Sequence, residues 1–321
     1  MRYSGFIINY VCNAKCRHCA FAGAPLGGQD FASYESACRI ASKLAAHGVT
    51  ALHIGGGEPF LRFDALCGVI RALTEHGIAI DYIETNAFWC TQKALVKERL
   101  QTLRALGANT LMVSVDPFHV EYVPLARPLL LCQVLDELGM EYFIWQERFI
   151  KQLMSLDPAR THSHEELQRA LGADYILQTA REYGIGLHGR ALQIAPQLYP
   201  PKPAVLVASA QPCAGMLNGT HCHADLYGKI IPAGCPGISI DIEDFFTPRG
   251  RVRDAQAYPI VQRLLAGGTA ALLRYGCQWG FDPQTPCSTN CDLCYRLRRF
   301  LLKRKPSRDI APACFYRMME C

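Results

Sequence analysis

Gly5-Phe-Ile-Ile-Asn-Tyr-Val11 runs directly into Cys12-Asn13-Ala14-Lys15-Cys16-Arg17-His18-Cys19, and the fold is read outward from this stretch. The apolar run is the right length for a strand, and the three cysteines, spaced C-x3-C-x2-C, fall on the loop that leaves it. Three thiolates so close in sequence can reach three corners of one iron–sulfur cube, which normally takes four. One iron is then left open to chelate a small molecule through an amino nitrogen and a carboxylate oxygen. The same residues also allow a zinc site with His18 as fourth ligand. His18 stands directly beside Cys19, however, and chelation by both neighbours is strained.

The chain has 321 residues, half of them apolar and 19% charged, so one large or two ordinary domains with a sizeable core are expected. The net charge of +5 is modest. Its one dense basic run, from Arg296 to Arg308, carries apolar residues at helical intervals and reads as a solvated helix face; no nucleic-acid-binding module accompanies it. The sixteen cysteines mean either a disulfide-rich secreted protein or thiols that bind metal. The eleven residues before Cys12 read as a strand and not as a signal peptide, and no apolar stretch reaches the length of a membrane span. A reducing cytoplasm and metal ligation are therefore expected.

Beyond the cysteine loop, helices and strands alternate. Helices are expected over 34–47, 62–76, 92–106, 125–138 and 164–183, and strands over 50–54, 78–85, 110–115, 140–145 and 185–187. Glycines 48, 77, 107, 139 and 184 act as helix stops. This pattern indicates parallel βαβ crossovers, with the active site built by loops at the carboxyl ends of the strands. Residues 191–212 hold five prolines and little periodicity, and read as a linker to a second, cysteine-rich segment.

Strand two ends in Gly55-Gly56-Gly57-Glu58-Pro59, where consecutive glycines let a charged ligand approach the backbone and Glu58 adds a carboxylate. One strand after C-x3-C-x2-C, this segment resembles the signature of the radical S-adenosylmethionine (SAM) superfamily. The resemblance implies a six-stranded partial (β/α)6 TIM-like barrel over residues 1–190. It implies that Cys12, Cys16 and Cys19 hold a [4Fe–4S] cluster, and that the glycine motif binds the methionine ammonium of SAM. Glu84-Thr85-Asn86 and Ser114-Val115-Asp116 end strands three and four on the same rim. Thr85, Asn86, Ser114 and Asp116 are similar to the family's SAM-contacting positions, although Asn86 and Asp116 also suit turns. Arg190 is a candidate partner for the methionine carboxylate, or for a structural ion pair. His119 and Glu147 are candidates for handling a substrate proton, and Cys90, after strand three, for a thiol that meets substrate.

The second pattern is Cys213-x8-Cys222-x12-Cys235, then Cys277-x9-Cys287-x3-Cys291-x2-Cys294-x19-Cys314. It resembles the SPASM extension, a radical SAM appendage holding auxiliary [4Fe–4S] clusters, here over residues 213–321, with Tyr227-Gly228-Lys-Ile-Ile-Pro232 as its hairpin. By that resemblance Cys213, Cys222, Cys235 and Cys294 form one ligand set, and Cys277, Cys287, Cys291 and Cys314 another. The spacing departs from the common one. It also allows a twitch-like domain with a single cluster, or zinc on Cys287, Cys291 and Cys294.

The chemistry so implied is reductive cleavage of SAM to a 5′-deoxyadenosyl radical that abstracts hydrogen from a ribosomal peptide or protein side chain. A small-molecule substrate is the alternative, and a non-enzymatic electron carrier the alternative of another class. A flavodoxin or ferredoxin reductant is expected. A separate peptide-recognition protein is a further expected partner, since no such domain precedes strand one.

Overall fold

The computed structural model describes residues 3–25, 30–217, 221–232, 234–246 and 257–320. Five strands alternate with helices through its first half: β1 (Tyr3–Ile7), β2 (Ala51–Gly55), β3 (Ala79–Thr85), β4 (Thr110–Ser114) and β5 (Glu141–Trp145), with α1 (Tyr34–Ala46), α2 (Phe63–Glu75), α3 (Lys93–Ala105) and α4 (Ala126–Leu138) between them. Each neighbouring pair from β1 to β5 is parallel, as crossover helices require. Ser33 caps α1 by accepting from the Ser36 amide at 3.2 Å, and Gly139 ends α4 in the left-handed conformation. Helices α1 to α4 bury their apolar faces on one side of the sheet. Ile40, Leu44, Val69, Leu73, Leu100 and Leu135 meet Phe6, Ile8, Leu52, Ile54, Ile83 and Val113 there.

Two expectations are corrected. The single helix expected over 164–183 is two, α6 (His164–Leu171) and α7 (Tyr175–Tyr183), after a short α5 (Arg148–Leu153). The break falls at Gly172, whose φ of +104° leaves the helical region. The sixth strand expected at Ile185–Leu187 does not form. Gly184 stops α7, and the chain instead turns onto the cysteine loop: the Arg190 amide donates to the Cys19 carbonyl at 2.9 Å, and a Cβ on Gly189 would lie 1.9 Å from the Ala20 carbonyl oxygen.

What extends the sheet comes from the cysteine-rich segment. After β6 (Lys202–Pro203), β7 (His221–Asp225) pairs parallel with β1, Tyr3 opposite His221 through Ile7 opposite Asp225. β8 (Lys229–Ile231) and β9 (Ile240–Asp241) follow antiparallel, giving the order β5-β4-β3-β2-β1-β7-β8-β9. Gly228, at φ +71°, turns the β7–β8 hairpin where the sequence placed it. The stretch read as a linker holds short helices at Ala195–Leu198 and Ala204–Val207, and β6 pairs with β10 (Pro286–Cys287). A second core joins Ile7, Tyr10, Ala22 and Ala24 to Ile231, Ile240, Leu264, Leu272, Leu297 and Phe315. The C-terminal helices Pro259–Gln278, Asn290–Arg304 and Ala313–Glu320 thus pack directly beneath the cysteine loop. In the basic run Arg296 pairs with Asp292, Arg299 with Glu320 and Arg308 with Asp241, as a helix face paired to its own surroundings would.

Candidate active site

The glycine turn and the cysteine loop are locked together by backbone contact. The Gly57 amide donates to both the carbonyl (2.9 Å) and the side-chain oxygen (2.8 Å) of Asn9, and the Glu58 amide to the Val11 carbonyl at 2.9 Å. A Cβ on Gly57 would lie 2.0 Å from the Val11 oxygen, and one on Gly56, at φ +151°, 2.6 Å from the Asn9 oxygen, so only glycine permits the approach. Glu58 is 1% exposed. Its carboxylate accepts from the Phe60 amide (3.1 Å), the Thr85 hydroxyl (3.0 Å) and the Asn86 amide (2.8 Å). Burial nonetheless holds its pKa up, at about 7.

Asn86 in turn donates to the Asn13 side chain at 3.0 Å and toward the Cys12 sulfur at 3.7 Å, fixing the first cysteine. Asp116 is fully buried; one carboxylate oxygen accepts the Phe118 and His119 amides, and the other pairs with His119 Nδ1 at 2.8 Å and lies 3.6 Å from His18 Nε2. Although burial opposes it, these partners hold the Asp116 carboxyl down at about 2. His119 also stands beside Cys16, and its pKa is raised: burial pulls it down, and the Asp116 and Cys16 charges more than offset that. Burial lowers His18 to about 4.

These residues enclose one cavity of about 450 Å³. Cys12, Cys16, Cys19, Gly56, Gly57, Glu58, Thr85, Asn86, Ser114 and His119 all line it. Gly55, Pro59 and Asp116 support that lining from behind. Gly55 passes against Glu84, Pro59 opens the 3-10 turn Pro59–Arg62, and Asp116 anchors the two histidines. Three candidates stand elsewhere. Glu147 is exposed at the start of α5. Cys90 is 1% exposed within the first core, with burial raising its thiol pKa. Arg190, 2% exposed, meets no carboxylate among the described residues. Its guanidinium donates to the carbonyls of Cys16 (2.9 Å), Ala22 (2.6 Å) and Gly23 (2.9 Å), clamping the backbone of the cysteine loop.

Among the described residues, two groups of three donors lie within 4.8 Å of one another, and neither contains a cysteine. His18 belongs to one of them, with Asp116 and His119, so it does not complete a zinc set with the three thiols. The donors suit a cube better, since its corners hold thiolates farther apart than one ion does. Three thiols face one cavity, pinned by Arg190 and Asn86, beside a glycine turn a side chain would block.

A second convergence lies on the other side of the segment 187–192. Cys213, Cys235, Cys291 and Cys294 line a smaller cavity of about 60 Å³ with His188 and Arg298. Thr289 caps the helix Asn290–Arg304 and so sets Cys291 and Cys294 on one face at i and i+3. Arg298, one turn further, donates to the Pro236 carbonyl and the Tyr316 hydroxyl, both at 3.0 Å, and brings a buried cation beside the thiols. The other four cysteines are scattered. Cys222 packs into the first core, Cys277 is exposed, Cys287 faces the Thr285 carbonyl at 3.5 Å, and Cys314 lies 3.9 Å from the Tyr227 hydroxyl. Of the first set expected from the sequence, Cys213, Cys235 and Cys294 come together, with Cys291 of the second set in the place of Cys222. No disulfide forms among the described residues.

Sequence reading missed a third group, His53, His221 and His223 with Glu84 beside them, of which His53, His221 and Glu84 line the large cavity. Its only local signal is His-x-His at 221–223, two side chains on one face of a strand.

A parallel α/β sheet that sets three pinned cysteines and a glycine turn around one cavity defines a cluster-binding, ligand-binding α/β protein. More particularly, residues 6–136 match the family model of the Radical SAM superfamily, and this part of the chain is a radical SAM domain. The cofactors of that domain are a [4Fe–4S] cluster and SAM. No curated protein matches the chain. Among solved structures, it is similar to native anSMEcpe with bound AdoMet (11% identity over 99% of this chain and 98% of that one, TM-score 0.47). It is also similar to SuiB of Streptococcus suis bound to S-adenosylmethionine (14%, 90% and 77%, 0.48), and to BtrN in complex with AdoMet and 2-DOIA (14%, 84% and 89%, 0.42). No described helix is long and apolar enough to cross a membrane.

Proposed function

We propose that this protein is a radical SAM enzyme that modifies a peptide or protein side chain, with one auxiliary [4Fe–4S] cluster on Cys213, Cys235, Cys291 and Cys294. The observation that carries the reading is the single cavity shared by Cys12, Cys16, Cys19 and the Gly56-Gly57-Glu58 turn. When bound, the cluster and SAM supply an electron and a sulfonium whose cleavage gives a 5′-deoxyadenosyl radical able to take hydrogen from an unactivated carbon. The chain's own part is positional. Cys12, Cys16 and Cys19 hold the cluster, while Arg190 and Asn86 keep their loop from shifting. Glu58, already holding three donors, directs its remaining acceptor capacity to the methionine ammonium. Ser114 and Thr85 line the same cavity and would meet the polar groups of SAM there, and the aromatic rings of Tyr82, Trp145 and Tyr183 exclude water from the walls.

A cavity of this volume is at the lower end for one drug-sized ligand, so SAM fills most of it and the substrate contributes a side chain through the open rim. The auxiliary set lies next to His188 and Gly189, directly behind the clamp on the cysteine loop, which suits removal of a second electron from a substrate radical. Anaerobic protein given SAM and dithionite should form 5′-deoxyadenosine, and the Cys12, Cys16, Cys19 triple alanine variant none. An electron carrier would form none in either case. Turnover of free small molecules but of no peptide would reject the substrate class while leaving the cleavage reaction standing.

A further inference from the structure

β1 carries glycine where its neighbours carry histidine. Gly5 is the register partner of His53 on β2 and of His223 on β7, and the two imidazoles reach over it to meet: His53 Nε2 lies 3.2 Å from His223 Nε2. A Cβ on Gly5 would fall 2.4 Å from both rings, so no other residue at that position leaves the space. His221, two residues before His223 on the same strand face, brings a third ring within the same 4.8 Å group. Glu84 on β3 points to the same place, its Oε1 3.4 Å from His53 Nε2. Three imidazoles thus converge from two strands, with Glu84 of a third strand beside His53 but outside the 4.8 Å group, and His53, His221 and Glu84 open onto the large cavity.

We propose that His53, His221 and His223 bind one divalent transition-metal ion as imidazole ligands, with Glu84, beside His53, as the carboxylate that closes on it. The spacing is the argument. Zinc–nitrogen and zinc–oxygen bonds of about 2.0–2.1 Å at tetrahedral angles place neighbouring ligand atoms about 3.3–3.4 Å apart; His53 lies 3.2 Å from His223 and 3.4 Å from Glu84, and His221 lies within 4.8 Å of the other two rings. Imidazole with one carboxylate suits Zn²⁺, Co²⁺ or Fe²⁺, not the all-oxygen preference of Mg²⁺ or Ca²⁺. The rings are also held before any ion arrives. Tyr82 stacks on His53 with ring centres 4.8 Å apart and planes 3° from parallel, and Phe21 packs edge-on against His223 at 5.3 Å. The metal would tie β2 and β3 to β7 across β1, and would sit on the wall of the cavity where a substrate donor atom can reach it.

The site needs neither SAM nor a reductant, so its test stands or falls apart from the radical SAM reading. Cobalt(II) chloride is titrated anaerobically into cluster-loaded protein. The expected result is one cobalt per chain, with visible ligand-field bands, no intense near-ultraviolet sulfur-to-cobalt band, and a melting temperature that rises with cobalt and not with magnesium. His53→Asn, His223→Asn and Glu84→Gln should each weaken cobalt binding beyond the about 10- to 100-fold that an outer-sphere partner is worth. Should a variant at His53 or His223 lose its circular dichroism or cluster iron, the parent spectrum and His221→Asn, at the less buried ring, decide. Absence of cobalt binding by the parent, a sulfur-to-cobalt band, or parental affinity in folded variants would each overturn the site; the two rings would then share an ordinary hydrogen bond.

Discussion

Glu58 accepts three hydrogen bonds and is still driven toward its protonated form, because burial outweighs them. A pKa raised from 4.5 to about 7 means the SAM-free fold holds a proton there that the unfolded chain has already released. Glu58's contribution to stability is therefore complete below pH 4.5 and is lost as pH rises through about 7. Glu58→Gln should flatten the decline of melting temperature across that window, leaving a smaller slope from Glu84, whose pKa burial and Glu58 also raise to about 7. SAM binding runs the other way. An ammonium needs the ionised carboxylate, so affinity should rise between pH 6 and 8 in the parent and stay level in Glu58→Gln, which binds roughly ten- to a hundredfold more weakly at pH 8. Equilibrium binding at three pH values checks both. Arg190 gives an equally clear division. Arg190→Met strands three buried carbonyls, each worth about 1.5–3 kcal/mol in a charge-assisted bond, so N-terminal cluster iron and melting temperature should fall together. Full iron with weakened SAM binding would return Arg190 to the methionine carboxylate.

Among the elements, the helix Asn290–Arg304 does the most sorting: its cap places Cys291 and Cys294 on one face, and Cys213 and Cys235 arrive from loops. Reconstituted protein should accordingly hold about eight irons, four per cluster. Replacing Cys291 and Cys294 by alanine should remove about four of them, whereas Cys277→Ala and Cys314→Ala should remove none. Iron analysis against protein concentration reads the difference. The first half of this architecture was legible because α1 to α4 announce themselves by periodicity, a serine cap and glycine stops, and the strands between them are short stretches with apolar residues bounded by those stops. Ile185-Gly186-Leu187 looked like one more such strand, but three residues carry too little pattern to outweigh a backbone already committed to the cysteine loop. β7 had the reverse problem: His-Cys-His-Ala-Asp has no apolar signature, since one of its faces is turned to polar groups inside the cavity. The cysteine grouping was illegible for a related reason. Spacing along the chain says which thiols are near in sequence, while the set is chosen by a helix face and two loops that no spacing encodes.

Across the whole molecule, the strand that completes the sheet beside β1 belongs to the C-terminal third, and the second core is shared between both parts. A fragment ending at residue 212 should therefore leave an edge of β1 and half of that core bare. It is expected to show weakened helical and sheet circular dichroism and rapid proteolysis, whereas two independent domains would give a stable fragment. The pairing of Tyr3 with His221 also has a bearing on time. About 218 residues must be made between them, some 10 to 45 seconds at ribosomal speeds of about 5–20 residues per second. Parallel pairing over such a separation is slow in its own right. Throughout that interval the cysteine loop hangs from an unpaired strand edge, with neither β7 beside it nor the C-terminal helices beneath it. The support of the cysteine loop thus arrives last, from the end of the chain farthest from it in sequence.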